Sequence, residues 1–348
     1  MQNPNSADIA RRLPKVLLHD HLDGGLRVAT LLELLQQRGP ASPAPDVATL
    51  QAWFEKNAHA GSLAKYLEGF ALTVAAMASP GAMHRVALEA AQDAHADGAV
   101  LAEFRIAPLL FEAHGISGEA AVEAMLAGLA DSPLPLLHRS GLIVCAMRHL
   151  PPQETLRAAQ LALRYQGQGV IGFDLAGPEA GHPTAEHAQA LRLVREAGLP
   201  ITLHAGEADA AVRVLEAARQ GASRIGHGVR LVDALHGPTQ AHLIEEAKTL
   251  NLHLEVCPTS NVHTGAASDL ASHPITALWQ AGISLSYHPD NRLMSCISHS
   301  GEAAALLEHT PLQVSDLLAM ARQAALHSFL PQHARERALV EIESFHSD

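Results

Sequence analysis

Short apolar runs punctuate the chain at Val16–Asp23, Ala99–Ala107, Leu142–Met147, Val170–Leu175, Ile201–His204, Ile225–Gly228, Leu252–Val256 and Ile283–Tyr287. Continuous hydrophobicity is what a strand buried on both faces shows, so these runs predict eight strands of a parallel sheet. Between them apolar positions recur at helical spacing, as in Glu186–Glu196, Ala208–Gln220 and Gln240–Thr249. Gly198-Leu199-Pro200 and Gly221 sit where such helices should stop. Strands alternating with helices predict an α/β fold of the closed (β/α)8 TIM-barrel type rather than an open doubly wound sheet. No GxGxxG or GxxxxGK phosphate loop follows any strand, which agrees.

One interval breaks the rhythm. Gly24 to Gly98 is too long for a simple crossover and carries helical patterns at Val47–Asn57 and Ser62–Met77. Leu63, Leu67 and Phe70 recur on one face of the second, a face suited to packing on the barrel and lining its pocket. We expect a helical insertion after the first strand, at about residues 24–98, that lids the barrel. No repeat, low-complexity tract or linker interrupts the chain, so residues 1–348 are expected to form one domain.

Composition narrows the function. With 348 residues, 48% hydrophobic, the chain can bury a large core. Its net charge of −12 disfavours nucleic acid and anionic membrane surfaces, which need a basic face. The three cysteines form no CxxC pair, so neither a disulfide scaffold nor a thiolate zinc site is expected. Met1–Lys15 lacks the apolar centre of a signal peptide, and no uncharged run reaches the ~20 residues that span a bilayer. A cytoplasmic protein acting on a small molecule is the expectation.

Histidine is abundant, 23 residues, and any one of them is more often a surface or satisfied core residue than a ligand. Position changes this. His19, His21 and Asp23 close the first predicted strand, His204 the fifth and His227 the sixth, while Asp290 follows the eighth. All fall on the C-terminal rim, where barrel active sites are built. Period-two alternation sends His19 and His21 to the same side of their strand. With His204 and Asp290 they make three imidazoles and a carboxylate, a set that suits one zinc ion. A binuclear site would need a lysine near the fourth strand, and Lys15, Lys56, Lys65 and Lys248 are not placed for it. A metal with an open position lowers the pKa of its water to about 7. His227 and Glu207 remain on the rim as the acid–base pair, though a carboxylate at Glu207 also suits the first turn of the helix expected there.

The motifs His19-Asp20-His21-Leu22-Asp23-Gly24, Asp174-Leu175-Ala176-Gly177, His204-Ala205-Gly206-Glu207, Gly226-His227-Gly228 and Glu255-Val256-Cys257-Pro258-Thr259-Ser260-Asn261 resemble the adenosine deaminase family, in family order. Asp290-Asn291-Arg292-Leu293-Met294-Ser295 resembles its bacterial branch. The resemblance spans roughly residues 14–330. It implies a zinc-dependent enzyme, one zinc per chain, that converts adenosine or deoxyadenosine to the 6-oxo purine nucleoside and ammonia. It implies His19, His21, His204 and Asp290 as zinc ligands, Glu207 as donor to the ring nitrogen beside the attacked carbon, and His227 as partner of the attacking water. It further implies substrate contacts from His21, from Gly177 to the far ring nitrogen, from Asp23 to the ribose 5′-hydroxyl and from Asn291 to the imidazole-ring nitrogen.

Some positions depart from the family pattern. Tyr287-His288-Pro289 stands where Asn-Thr often precedes the zinc aspartate, Gly177-Pro178-Glu179 replaces a frequent Gly-Asp-Glu, Gly25 replaces a small or β-branched residue, and Asn291 replaces a second aspartate of the vertebrate type. These leave the reaction type intact and the choice of 6-aminopurine open. Free adenine and aminodeoxyfutalosine are the rival substrates, and a catalytically silent zinc-binding barrel is the rival class. The oligomeric state is not written in the sequence.

Overall fold

The eight apolar runs become eight strands: β1 Lys15–Leu17, β2 Ala99–Ile106, β3 Ser140–Met147, β4 Val170–Ala176, β5 Thr202–Ala205, β6 Arg224–His227, β7 His253–Val256 and β8 Ser284–Tyr287. The computed structural model describes residues 4–37, 40–59, 63–237 and 240–345, and for 4–5 and 63–68 the backbone alone. Strands pair in parallel in the orders β1-β2-β3-β4 and β5-β6-β7-β8. Single bridges Phe173↔Ile201 and Asp20↔Asp290 join the two runs into a ring, giving the (β/α)8 barrel. Helices cover the outside, stopping at Gly198 and Gly221 as their pattern predicts.

The first strand is shorter than its apolar run. Its ladder ends at Leu17, single bridges follow at Asp20 and His21, and Leu22–Gly24 winds into a 3-10 turn. The reason lies in the seam between β8 and β1. The Leu18 N–H donates 3.3 Å to Nδ1 of His288 instead of to a backbone carbonyl. Two further backbone bonds close the ring, His21 N to Asp290 O at 2.9 Å and Asp290 N to His19 O at 3.2 Å. Arg292 clamps it from outside, Nε to Asp20 Oδ2 at 2.6 Å.

Among the described residues four α-helices lie between β1 and β2: Val28–Gln37, Val47–Ala58, Leu63–Met77 and Pro80–Ala96. The last packs on β2 and on helix Gly118–Ala130, as an ordinary barrel helix does, so the first three are the extra material. Helix Leu63–Met77 lies against the turns Leu22–Gly24 and Pro108–His114, at the C-terminal ends of β1 and β2. Phe70 thereby reaches the mouth of the barrel. The Leu63 and Leu67 side chains fall outside the described residues.

The barrel interior departs most from the apolar pattern. Glu103, Arg105, Asp174, Thr202, Arg224 and Glu255 all point inward and are fully buried. Arg105 bonds Asp174 Oδ2 at 2.8 Å and Glu255 Oε2 at 2.6 Å, while Arg224 bonds Glu103 Oε2 at 2.7 Å and Glu255 Oε1 at 2.6 Å. The Phe329 ring lies 3.6 Å beneath the Arg224 guanidinium. Among the described residues no helix is long and apolar enough to cross a membrane.

Candidate active site

His19 and His204 are oriented from behind. Nδ1 of His19 lies 2.9 Å from Glu255 Oε2, and Nδ1 of His204 lies 3.0 Å from Asp174 Oδ2. A ring that donates its Nδ1–H to a carboxylate presents a bare Nε2 on its other edge, the arrangement metal-binding histidines use. Burial alone would raise both carboxyls; for Asp174, His204 and Arg105 override it, and for Glu255, Arg105 and Arg224 do, holding both well below the usual range. His19 Nε2 and Asp290 Oδ1 then meet 3.1 Å apart, both buried and both without a hydrogen-bond partner.

Donor atoms of His19, His204, His227 and Asp290 all lie within 4.8 Å of one another. His21 joins them, its Nε2 3.2 Å from His204 Nε2 and 3.5 Å from Asp290 Oδ1. Five donors therefore converge where the sequence pattern leads to four ligands and a neighbour. One contact sets His227 apart. Asn261 Nδ2 donates 3.0 Å to His227 Nδ1 and lies 3.5 Å from Glu207 Oε1, an amide orientation the carboxylate enforces. With Nδ1 accepting, the neutral ring carries its proton on Nε2 and has no lone pair there to offer. Burial keeps His21 neutral, its pKa well below the usual histidine value.

The buried charges fit a divalent cation. Among the described residues the guanidinium groups in direct ion pairs with Glu103, Asp174, Glu255 or Asp290 are two, Arg105 and Arg224, leaving two formal negative charges beside the unpartnered His19 and Asp290 atoms. A dication neutralises that excess, and an imidazole–carboxylate donor set suits zinc. Two of the donors sit on strained backbone, His227 at φ +63° and Asp290 at φ +61°, as residues at functional sites often do. Ser260 Oγ fixes the other oxygen of Asp290 at 2.7 Å.

Above the donors opens a cavity of about 800 Å³. Glu207 enters it from the loop after β5, with Oε1 accepting from Thr264 Oγ1 at 2.8 Å and Oε2 3.5 Å from His227 Nε2. It is not in a helix: the expected Ala208–Gln220 helix begins only at Val212, because the backbone N–H groups of residues 206–209 are bound by Glu179. Asp23 also lines the cavity, though from the 3-10 turn rather than from strand alternation, and burial pushes its carboxyl up to about 7. Gly177 borders it at φ +94°, a backbone conformation that favours glycine, and a Cβ there would stand 3.1 Å from His149 Nδ1. Asn291 packs its Oδ1 against Gly24 and lines the cavity. Arg230, the one arginine lining the cavity among the described residues, is neutralised by Asp233 at 2.7 Å.

Sequence reasoning did not assign Arg105, Asp174, Glu255, Asn261, Thr264 or Glu179. A signal existed for the first: Glu103 and Arg105 stand two apart inside an apolar strand run, so both face one side of a strand with no water near it.

The profile of the adenosine deaminase family matches residues 14–345. An adenosine deaminase of Mycobacterium avium is 40% identical over 98% of this chain and 97% of its own. Among solved structures, an Arabidopsis N6-mAMP deaminase is 24% identical and superposes with a TM-score of 0.83 over 97% of this chain and 100% of its own. An amidohydrolase of Burkholderia ambifaria, solved with bound Zn, is 22% identical with a TM-score of 0.83, covering 99% and 94%.

Proposed function

The chain belongs to the adenosine deaminase family, and on that premise we propose that this enzyme hydrolyses adenosine and deoxyadenosine to inosine, or deoxyinosine, and ammonia with one zinc ion. The observation that carries the reading is the pair of unpartnered, buried donors His19 Nε2 and Asp290 Oδ1, 3.1 Å apart, at a cavity that Asp290 and Glu207 both line. His19, His21, His204 and Asp290 would hold the ion, which supplies a water activated for attack at neutral pH.

The chain's own groups do the rest. An aminopurine ring is aromatic and resists addition; Glu207 lowers the barrier by donating a proton to the ring nitrogen beside the amino-bearing carbon. Thr264 occupies Oε1, so Oε2 is the atom left to carry that proton. His227, with its Nε2–H directed inward, orients the attacking water and stabilises charge developing on it. The Gly177 N–H meets the far ring nitrogen, the Asn291 amide the imidazole-ring nitrogen, and Asp23 the ribose 5′-hydroxyl. A phosphate finds no free cation in the described cavity lining, which favours nucleosides over nucleotides.

The test is elemental analysis of the purified protein with a substrate panel of adenosine, deoxyadenosine, adenine, aminodeoxyfutalosine and AMP. The reading expects one zinc per chain and loss of the adenosine absorbance band, with adenosine and deoxyadenosine the preferred substrates. His204→Ala should lose metal and activity together. Two metals per chain, or preference for adenine, aminodeoxyfutalosine or AMP, would overturn it.

A further inference from the structure

The segment Gly206–Ala211 has left β5 and has not yet become a helix, so its backbone N–H groups have no ladder to join. One side chain takes four of them in succession. Glu179, buried in the loop after β4, accepts from Gly206 N at 2.6 Å through Oε1, and from Glu207 N at 3.0 Å, Ala208 N at 2.9 Å and Asp209 N at 3.2 Å through Oε2. Arg148 grips the same segment by its other polarity: its buried Nη2 donates to the carbonyl of His204 and, at 3.1 Å, to that of Leu175. A carboxylate from one strand end and a guanidinium from another thus hold residues 204–209, which carry a donor of the metal site and the acid.

We propose that Glu179 is a positioning residue for proton delivery, fixing where the Glu207 carboxyl stands against the substrate ring. This rests on Glu207 being the proton donor. The Glu207 side chain is tied at Oε1 by Thr264, but its backbone is tied by Glu179 alone among side chains. Charge-assisted N–H bonds to a carboxylate are about twice as strong as neutral ones, and four on one acceptor leave the loop little freedom. An amide at 179 loses that charge and turns an NH2 group toward N–H donors. An aspartate keeps the charge and lacks one methylene of reach. A displacement of about 1 Å at a reacting group can cost about 100-fold in rate. Glu179 lines the cavity, but both its carboxylate oxygens are taken by the backbone of residues 206–209, so its loss should fall on kcat more than on KM.

The experiment is a double-mutant cycle, run with zinc content and melting curves on every variant. Glu179→Gln should lower kcat about 10- to 100-fold with KM within about 3-fold and full zinc occupancy. Glu179→Asp should recover part of the loss. In a Glu207→Gln background, where the transferable proton is already missing, Glu179→Gln should cost less than about 3-fold. An equal loss in both backgrounds, a rise in KM larger than the fall in kcat, or loss of zinc overturns the proposal. Should Glu179→Gln fail to fold, Glu179→Asp carries the same cycle, and a loss in it that is equal in both backgrounds refutes the idea as well. Failure of the underlying reading shows separately, as a Glu207→Gln single variant with near-wild-type turnover.

Discussion

Replacing Arg105 by methionine should cripple metal retention without touching a ligand. Its guanidinium donates to Asp174 Oδ2, Glu255 Oε2 and the Leu18 carbonyl, and all three partners are fully buried. Glu255 keeps Arg224 at 2.6 Å, but Asp174 is left with the His204 ring at 3.0 Å and only the more distant charge of Arg148. Breaking a buried ion pair from one side costs about 3–5 kcal/mol, because a charge is left uncompensated. An unfolding entropy of about 2.1 cal/mol/K per residue gives roughly 0.7 kcal/mol/K for 348 residues, so Tm should fall by about 4–7 °C. Asp174 and Glu255 also orient His204 and His19, and losing such support typically lowers metal affinity 10- to 100-fold, roughly. Calorimetry of metal-loaded and stripped protein, with a competing chelator titration, reads both effects. A variant that melts within about 1 °C of wild type and holds its metal as tightly would refute the charge accounting of the barrel interior.

Other outcomes follow from single contacts. Asp23→Ala should erase the discrimination against 5′-deoxyadenosine, which in the parent enzyme should be about 10-fold in kcat/KM for one hydrogen bond to a carboxyl that burial leaves about half ionised near neutral pH; equal discrimination in both enzymes would place Asp23 elsewhere. Glu302 is fully buried, and burial pushes its carboxyl up to about 8, so the folded state keeps a proton that the unfolded chain releases near 4.5. The contribution to stability therefore falls as pH rises from about 4.5 to 8, and Glu302→Gln should gain up to about 5 kcal/mol over the parent across that window, at ~1.4 kcal/mol per pKa unit. Parallel Tm-against-pH curves for the two proteins would rule this out.

Some of this was legible before any coordinates. Strand runs such as Ala99–Ala107 and Leu142–Met147 reappear within a residue or two, because burial on both faces leaves an apolar signature that local chemistry cannot hide. His19, His204 and Asp290 were legible for a related reason: polar residues at the ends of buried strands mark one rim. Asp23 reached the cavity by a different route, since the seam with β8 ended the first strand early. His288, set aside as a departure from pattern, turned out to be part of that seam. Glu179 and Asn261 stood inside family-like motifs but without a role, because an acidic or amide residue in a loop gains meaning only from the distant backbone or ring it meets. The paired charges of Arg105 and Glu255 look like interruptions of an apolar run until the barrel closes around them.

That closure has a consequence for biosynthesis. Leu18 and its seam partner His288 lie 270 residues apart, so the first and last rim elements leave the ribosome far apart in time. At about 5–20 residues per second the β1 histidines wait roughly 15–50 s for the strand that brings Asp290. Throughout that interval the nascent chain displays imidazoles with no carboxylate to complete their set. A chain released before β8 would have neither the seam nor the fourth donor. Deaminase turnover then reports that synthesis has passed β8: the enzyme stays silent until the segment that carries His288 and Asp290 has been made and docked.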